Sequence, residues 1–403
     1  MAAFDQSAAA PILKTRYPTK KILTMAYKKS PLLGSVPKFT DFGGDQKNFV
    51  PRYARPQGRS ANFSVAQQNK TGSKYSKFAV TRVEDFAVAS IKGQTIKATK
   101  GDANALVDAI SSEMDGAIMS ASESAQISLY RNGGGARGRI NASGPSTTTV
   151  TLATPADIVN FETGMWLTTG STDGTSGSVN PGHVQVVGIN RDTGVITVSG
   201  NWTAGIPACA ANDYIFQEGD FGAMMQGLDA WVPASAPGAT GFFGVDRTAD
   251  ATRLGGIRFS GSGGAIDEVL IEAAARAVRE HASPDTVFIN NLDFSPLINL
   301  PGTKREYVNA DSSLAGVGYR AVQIETEAGP INIIPDPYCP KGTAWMLQLD
   351  TWELASLDDV PHILDLDGNR FLREAGADAY EIRVGYYANL GCYAPGWNVR
   401  ITL

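Results

Sequence analysis

Apolar residues recur at three- and four-residue steps over residues 103–130, which is the spacing of one face of an α-helix. Asp102 occupies the N-cap position, and the Asn-Gly-Gly-Gly segment 132–135 ends the pattern. A helix of 28 residues is about 40 Å long. Many serines occupy its other positions, and they suit either close packing or contact with solvent. The apolar positions are Leu106, Ile110, Met114, Ala117, Ile118, Ala121, Ala125 and Leu129.

Before this helix, apolar and polar residues alternate in a way that predicts a long β-hairpin over residues 61–98. Phe63 and Val65 form the first limb, the polar segment 67–74 forms the turn, and apolar residues from Tyr75 to Ile91 form the second limb. A two-stranded ribbon alone is marginally stable in water, so this one must lean on another surface.

Residues 1–60 are predicted to form an extended arm. Proline recurs too often in this segment for a long helix, because each proline also biases the residue before it away from helical geometry. The segment nevertheless carries many apolar side chains, which a free disordered tail rarely does. We therefore expect the arm to pack against another surface.

The pattern changes to short β-strands over residues 138–218, which predicts a small β-barrel or sandwich inserted between parts of another domain. The preceding Gly133–Arg139 segment is weakly similar to an RNA-binding arginine-glycine segment, and is better interpreted as a flexible junction. The predicted strands are 147–152, 183–189, 194–198 and 214–216.

Residues 219–403 predict an α+β region. An amphipathic helix over residues 264–281 carries acidic residues at its start and basic residues at its end, which suits the helix dipole. The chain stops on an apolar strand, so we expect that strand to close the fold. The predicted strands are 286–289, 321–326, 331–334, 344–349, 352–357, 382–389 and 399–403.

Composition adds that the chain is globular. Its 403 residues are 43% hydrophobic and 19% charged, which favours two or three folded domains. The three cysteines lack C-x-x-C spacing, so neither a disulfide framework nor a zinc site is indicated. We find no secretory signal and no apolar run of the length that crosses a membrane.

Charge is distributed very unevenly along the chain. Residues 1–100 contain 18 Lys and Arg against 5 Asp and Glu, whereas the remainder contains 17 against 35. A basic leading segment joined to an acidic body favours association between copies of the chain, since opposite surfaces attract and orient one another. A basic arm for nucleic acid and a solvated tail are the alternatives.

No catalytic, cofactor-binding or metal-binding constellation emerges, so we predict that the protein is not an enzyme. The three histidines stand apart from any metal-binding motif. Gly261–Gly264 lacks the lysine of a phosphate-binding loop and is interpreted as a helix-entry turn. Residues 365–369 begin like a calcium loop but lack its later ligands, so a turn is the better interpretation.

Several local segments are familiar together, although each is only moderately specific. They are Ile91–Ala98 leading into Gly101–Leu106, Leu129–Gly133, Gly227–Val232, Leu300–Gly302, and the ending Asp378–Arg383 to Pro395–Asn398. With the order of arm, hairpin, long helix and α+β region, they make the chain resemble the Hong Kong 97-like major capsid proteins of tailed bacteriophages, over essentially its whole length.

The resemblance implies an α+β capsid fold whose parts can be assigned along the chain. An N-terminal arm and an extended loop laid over an adjacent subunit would precede the spine helix of a peripheral domain. The β-rich insertion departs from the minimal family pattern. The implied ranges are 1–60 for the arm, 61–98 for the extended loop, 99–137 for the spine helix, 138–218 for the inserted β-barrel-like domain, 219–357 for a mainly axial domain, and 358–403 for the return to the peripheral domain.

The implied function is a structural one, without cofactors. Copies would assemble as hexamers and pentamers of an icosahedral shell around double-stranded DNA, in a virion built in the bacterial cytoplasm. The implied partners are other copies, a separate scaffolding protein, a portal, a possible decoration protein and DNA bound without sequence reading, with no membrane. Basic side chains would contact neighbouring subunits, and those near the loop tip would meet carboxylates: Lys20, Lys21, Lys28, Lys29, Lys70, Lys74, Lys77 and Arg82.

Two alternatives stay open at this point. An encapsulin-like compartment would share the fold but enclose enzymes, and the long basic arm and the insertion argue against it. A phage tail or receptor-binding protein would use residues 138–218 as an adhesive β module, and it would bind glycans without forming shells.

Overall fold

The structure, a computed structural model, describes residues 30–93, 103–298, 305–312, 317–365, 368, 371–374 and 376–403. The predicted contact residues Lys20, Lys21, Lys28 and Lys29 and the predicted cap Asp102 lie outside the described residues. The α+β class predicted from the sequence is confirmed, because helices and mixed sheets occur together.

In the described ranges the strands are β1 (Lys38–Phe39), β2 (Gln46–Phe49), β3 (Arg52–Ala54), β4 (Lys74–Tyr75), β5 (Phe78–Thr81), β6 (Val83–Lys92), β7 (Ala136–Arg139), β8 (Thr149–Thr151), β9 (Trp166–Gly170), β10 (Val184–Asn190), β11 (Val195–Val198), β12 (Tyr214–Gln217), β13 (Ile257–Ser260), β14 (Thr286–Ile289), β15 (Arg305–Ser312), β16 (Val317–Thr326), β17 (Gly329–Pro335), β18 (Thr343–Leu347), β19 (Trp352–Ser356), β20 (His362–Ile363), β21 (Leu372–Arg373), β22 (Ala379–Cys392) and β23 (Val399–Thr402). The described α-helices are Pro31–Ser35, Phe63–Gln68, Ala103–Tyr130, Trp202–Gly205, Leu228–Trp231, Ile266–Val278 and Asn291–Ile298, and 3₁₀ turns cover Pro155–Asn160, Arg247–Asp250, Leu349–Thr351 and Pro395–Trp397.

The long helix Ala103–Tyr130 has the range that the sequence pattern predicted. Met114, Ile118 and Ala121 pack beneath a sheet, in one cluster with apolar residues of β6 and β22. Serines such as Ser122 and Ser128 on its other faces are buried too. The C-terminal half of this helix is therefore enclosed by the protein, so its small side chains serve close packing.

That sheet is built around the fourteen-residue strand β22. Strand β6 pairs along one edge of β22, from Val83 opposite Ala388 to Lys92 opposite Ala379. Strands β19, β20 and β21 follow one another along the other edge, and β1 pairs in parallel with β19. We call this the peripheral sheet.

A second sheet has the order β13-β23-β18-β14-β17-β16-β15 among the described strands. The helix Ile266–Val278 covers it with apolar side chains including Leu270 and Ala273, which pack against Val287 and Ile401. The hairpin of β16 and β17 matches the prediction. Strand β23 also lies here, so residues 358–403 do not stay together as expected: Val399 and Ile401 are buried between β13 and β18 rather than in the peripheral sheet.

Residues 136–217 form a closed antiparallel barrel in the order β7-β12-β9-β10-β11-β8. Ile140 pairs with Leu152, and two further backbone hydrogen bonds of 2.8 and 2.9 Å return β8 to β7. The four strands predicted in this region are confirmed, whereas β7 and β9 were not foreseen. The interior is filled by side chains including Phe161, Trp202 and Ile215, each fully buried.

The interpretation of Gly133–Arg139 as a flexible junction is wrong. Residues 136–139 are a barrel strand, and the buried Arg137 forms an ion pair of 3.2 Å with Asp220. Burial raises the pKa of Asp220 to about 6, and the charge of Arg137 opposes that shift. The glycines are needed because Gly134 lies against the carbonyl oxygen of Asp173, where a side chain does not fit.

We expect Gly134→Ala to destabilise the unassembled chain by more than about 2 kcal/mol, because its Cβ would overlap the Asp173 carbonyl. Chemical denaturation measures the change. Gly116→Ala is the matched control. Gly116 is an exposed position inside the long helix with open space around it, so alanine should stabilise by up to about 1 kcal/mol. Equal effects at the two positions would contradict the packing described for the junction.

A buried carboxylate joins three parts of the chain at the end of the long helix. Asp336, fully buried after β17, accepts hydrogen bonds from the Tyr130 hydroxyl at 2.8 Å and from the Tyr338 backbone at 3.0 Å. It also accepts from the backbone of Leu32 in the helix Pro31–Ser35. Burial raises the pKa of Asp336 to about 6, and these hydrogen bonds limit the rise.

Asp336 should therefore make folding depend on pH. Its pKa is higher in the folded chain than the unfolded value of 3.8, so its stabilising contribution is complete below about pH 4 and is lost as pH rises through about 6. Asp336→Asn stays neutral, and its stability relative to wild type should rise by about 2 kcal/mol between pH 4.5 and 7.5. Denaturant titrations at each pH measure this difference, with the exposed Asp192→Asn as control. A difference independent of pH would refute the expectation.

Candidate assembly surfaces

The predicted β-hairpin is a two-stranded ribbon, but it occupies residues 46–81 rather than 61–98. β2 pairs with β5, and β3 pairs with β4. Phe63 and Val65, expected in a strand, instead lie in the helix Phe63–Gln68 at the tip. Asn62 caps this helix through its side-chain oxygen, which accepts from the Ser64 backbone at 3.0 Å. The predicted second limb beyond residue 82 belongs to β6 of the peripheral sheet.

The root of the ribbon is anchored in the core of its own chain. Phe49 and Phe78 lie directly opposite each other and are fully buried. Their rings lie 6.4 and 5.0 Å from the ring of Trp231. Phe49 also covers Gly391 of β22, where a larger residue would collide with the ring.

The tip of the ribbon has apolar side chains that its own chain leaves uncovered. Phe63 is 75% exposed and Tyr75 is 59% exposed, and none of the residues in the tip helix is buried. Large exposed apolar side chains grouped in this way are typical of protein–protein contact surfaces. The root of the ribbon is thus packed into the core of its own chain, whereas apolar side chains toward its tip are exposed to solvent.

The ribbon is also strongly basic, with seven Lys and Arg and no Asp or Glu between residues 46 and 81. Lys47 at the root forms an ion pair with Glu353 of its own body. The remaining six side chains are exposed: Arg52, Arg55, Arg59, Lys70, Lys74 and Lys77. Lys70 follows the tip helix, Lys74 lies in β4 opposite Ala54, and Lys77 directly precedes the buried Phe78, so the three are spread along the second limb. Their contact with a neighbouring subunit stays a prediction. The arginines of the first limb were missed, although the absence of acidic residues from the whole segment could have revealed them.

Arg82 lies at the root of the ribbon, directly after β5. Its guanidinium donates to the carbonyl oxygens of Phe42 and Gly44 at 2.5 Å each, and it lies 5.0 Å from the centre of the Phe42 ring. These contacts within its own chain hold the segment before β2 in place. Its contact with a neighbouring subunit stays a prediction.

The body also carries exposed apolar side chains. Phe86 and Val88 on the outer face of β6 are 47% and 58% exposed. Among the described strands, β6 is paired only along the edge that faces β22. On the barrel, the ring centre of the exposed Trp166 lies 4.8 Å from that of His183. Nδ1 of His183 is in polar contact with the carboxylate of Glu218. These surfaces are available for contact with other molecules.

The described residues contain no group of three or more His, Cys, Asp or Glu side chains placed to hold a metal ion. None of the described helices combines the length and hydropathy of a membrane-crossing segment. The three cysteines are buried, and burial raises the pKa of each thiol. A raised pKa disfavours the reactive thiolate.

Comparison with known proteins agrees with this architecture. Residues 208–369 match the sequence model of the SU10 major capsid protein family. The chain is similar to a structure of the cyanophage A-1(L) capsid asymmetric unit, with a TM-score of 0.50 and 12% identity over 93% of this chain and 92% of that chain. A search of curated proteins finds no match.

Two further solved structures are similar in outline. A virus-like particle from Pyrococcus furiosus has a TM-score of 0.43 and 9% identity, over 94% of this chain and 95% of that chain. The SrpI encapsulin complex from Synechococcus elongatus PCC 7942 has a TM-score of 0.44 and 10% identity, over 100% of this chain and 96% of that chain. With the family match, the fold confirms the resemblance indicated by the sequence motifs: this chain has the Hong Kong 97-like fold of the major capsid proteins of tailed bacteriophages.

Proposed function

We propose that the chain is a major capsid protein whose copies assemble as hexamers and pentamers of an icosahedral shell enclosing double-stranded DNA. The observation that carries this proposal is the ribbon, which is anchored in its own core by Phe49 and Phe78 and exposed at its tip. On a capsid fold, such a ribbon gains its apolar burial by lying over an adjacent copy.

Charge supports the same arrangement. All charged side chains of the ribbon are positive, whereas residues 101–403 contain 35 acidic against 17 basic residues. Opposite charges on ribbon and body steer copies together and suppress contacts between ribbons. Each exposed ion pair contributes at most about 1 kcal/mol, so strength arises from repetition around the shell.

The remaining parts take roles consistent with this assembly. The long helix and peripheral sheet would form the peripheral domain, and the seven-stranded sheet would form most of the axial domain around the five- and six-fold centres. The predicted contacts of Lys20, Lys21, Lys28 and Lys29 would lie in the arm. A scaffolding protein, a portal and a possible decoration protein would be the partners, and DNA would contact the inner wall through phosphates alone. Assembly would take place in the host bacterial cytoplasm, and the mature protein would reside in the virion.

The direct test is electron microscopy of the full chain expressed alone and with its neighbouring genes. Closed icosahedral shells under either condition support the proposal, and particles from infected cells should contain DNA. Shells that contain a protein cargo and no DNA would indicate an encapsulin-like compartment instead. Monomers or fibres under both conditions would overturn the capsid assignment.

Reversing the charge of Lys70, Lys74 and Lys77 together to Glu should lower the yield of shells by about tenfold or more, because like charges would then face the acidic body of the neighbour. Light scattering and sedimentation measure the yield. The control is the triple Lys→Arg variant, which keeps the charge and should assemble normally. Raising the salt concentration should also lower the yield of wild-type shells, since these charges are exposed and salt screens them. Normal shells from the Glu variant would count against contact through these lysines.

The two ends of the ribbon should respond differently to truncation of an aromatic ring. Phe63→Ala at the exposed tip should change the stability of the unassembled chain by less than about 0.5 kcal/mol yet reduce assembly. Phe49→Ala at the buried root should destabilise the unassembled chain by about 3–5 kcal/mol. Thermal or denaturant unfolding and shell yield are measured on both variants. If Phe63→Ala assembles like wild type, the tip does not bind a neighbour through this ring.

A further inference from the structure

A cleft of about 320 Å³ lies between the first limb of the ribbon and the body of the same chain. Ribbon residues 50–55 form one wall. The other wall contains Arg253, residues 280–281 and the segment 393–397, which follows β22. The lysines of the second limb do not line this cleft, although Lys74 pairs with Ala54 of its ribbon wall. Its side chains of interest are Arg52, Arg55, Arg253, Tyr53, Tyr393 and Trp397.

The cleft has a surplus of positive charge. Arg52 and Arg55 are exposed on the ribbon wall. Arg253 on the opposite wall donates to the Tyr53 carbonyl at 2.7 Å, which holds ribbon and body together. It also forms an ion pair of 3.7 Å with Asp250, so the positive surplus is that of Arg52 and Arg55. Among the described residues that line the cleft, Glu280 is the one carboxylate, and Arg276 already binds it at 3.0 Å. An anionic partner would complete the charge balance.

The aromatic walls suit the contact of arginine with a partner protein. Tyr393 is 42% exposed and Trp397 is 39% exposed, so part of each ring faces solvent. Tyr393 is fixed in place by the Phe49 ring at 4.7 Å and by a hydrogen bond of 3.0 Å to Glu353. Rigid aromatic rings beside arginines are the combination that dominates the energy of protein interfaces.

We propose that this cleft binds acidic side chains of a second copy of the chain. The inference rests on the proposed function, because assembly brings a second copy to the ribbon. Guanidinium groups bind carboxylates through paired hydrogen bonds, and the acidic excess of residues 101–403 supplies them. A cleft of this volume admits a few side chains but not a DNA duplex, so protein carboxylates fit better than phosphates of packaged DNA.

Zero-length cross-linking of assembled shells tests this contact. Arg55→Lys keeps the charge and introduces an amine that a carbodiimide couples only to a carboxylate in direct contact. Shells are assembled from a mixture of isotopically light and heavy full-length chains, and mass spectrometry separates cross-links between copies from those within one copy. Arg139→Lys, an exposed barrel position outside the ribbon and the cleft, is the matched control.

We expect cross-links from the Arg55→Lys variant to an Asp or Glu of the other isotope, at least about fivefold more abundant than from the Arg139→Lys variant. Links only to Glu280 of the same chain, or equal yields from the Arg55→Lys and Arg139→Lys variants, would overturn the inference. If no links form between copies and the cleft binds nucleic acid in a nuclease-sensitive way, the inference is overturned, and the cleft binds phosphate groups instead. If the wild-type chain forms no shells at all, the proposed function fails first, and that outcome is visible before any cross-linker is added.

Discussion

The packing of Phe49 and Phe78 against Trp231 is the interaction on which the rest of the molecule depends. It fixes two strands, at positions far from Trp231 and β22 in sequence, to the body that those later residues build. Because the root is rigid, the direction of the ribbon is set by the folded core rather than by a hinge. A rigid projection loses less conformational entropy on binding than a free tail does. The same core therefore stabilises the chain and sets the direction in which the ribbon projects from it.

Several parts of the chain also meet at the end of the long helix, where polar contacts and tight packing of the backbone hold them together. Tyr130 reaches the buried Asp336, while Gly134 and Gly135 let the chain pass against the barrel loops. Burying a carboxylate without a neighbouring cation is unfavourable unless several donors surround it, which is why three donors meet there. Three parts of the fold thus share one junction with little tolerance for larger side chains.

The sequence predicted the elements whose periodicity is long, and it failed where geometry depends on distant partners. The long helix repeats its apolar spacing over many turns, so its range was predicted correctly. Phe63 and Val65 offer only two alternating positions, and the Asn62 cap was the stronger signal. β7 was missed because glycines suggested flexibility, when they serve close packing. The basic charge of the ribbon follows from the local sequence, whereas the cleft of Arg52 and Arg55 requires residues near 253 and 393 to be folded against the ribbon.

The closed barrel has an evolutionary consequence. Its first strand, β7, and its last, β12, are hydrogen-bonded neighbours, so the chain enters and leaves the barrel at adjacent points. A module with adjacent entry and exit and no open sheet edge can be gained, lost or replaced while the connections around it stay where they are. Selection can then change the identity of this module quickly, while the sheets and the long helix around it keep their geometry.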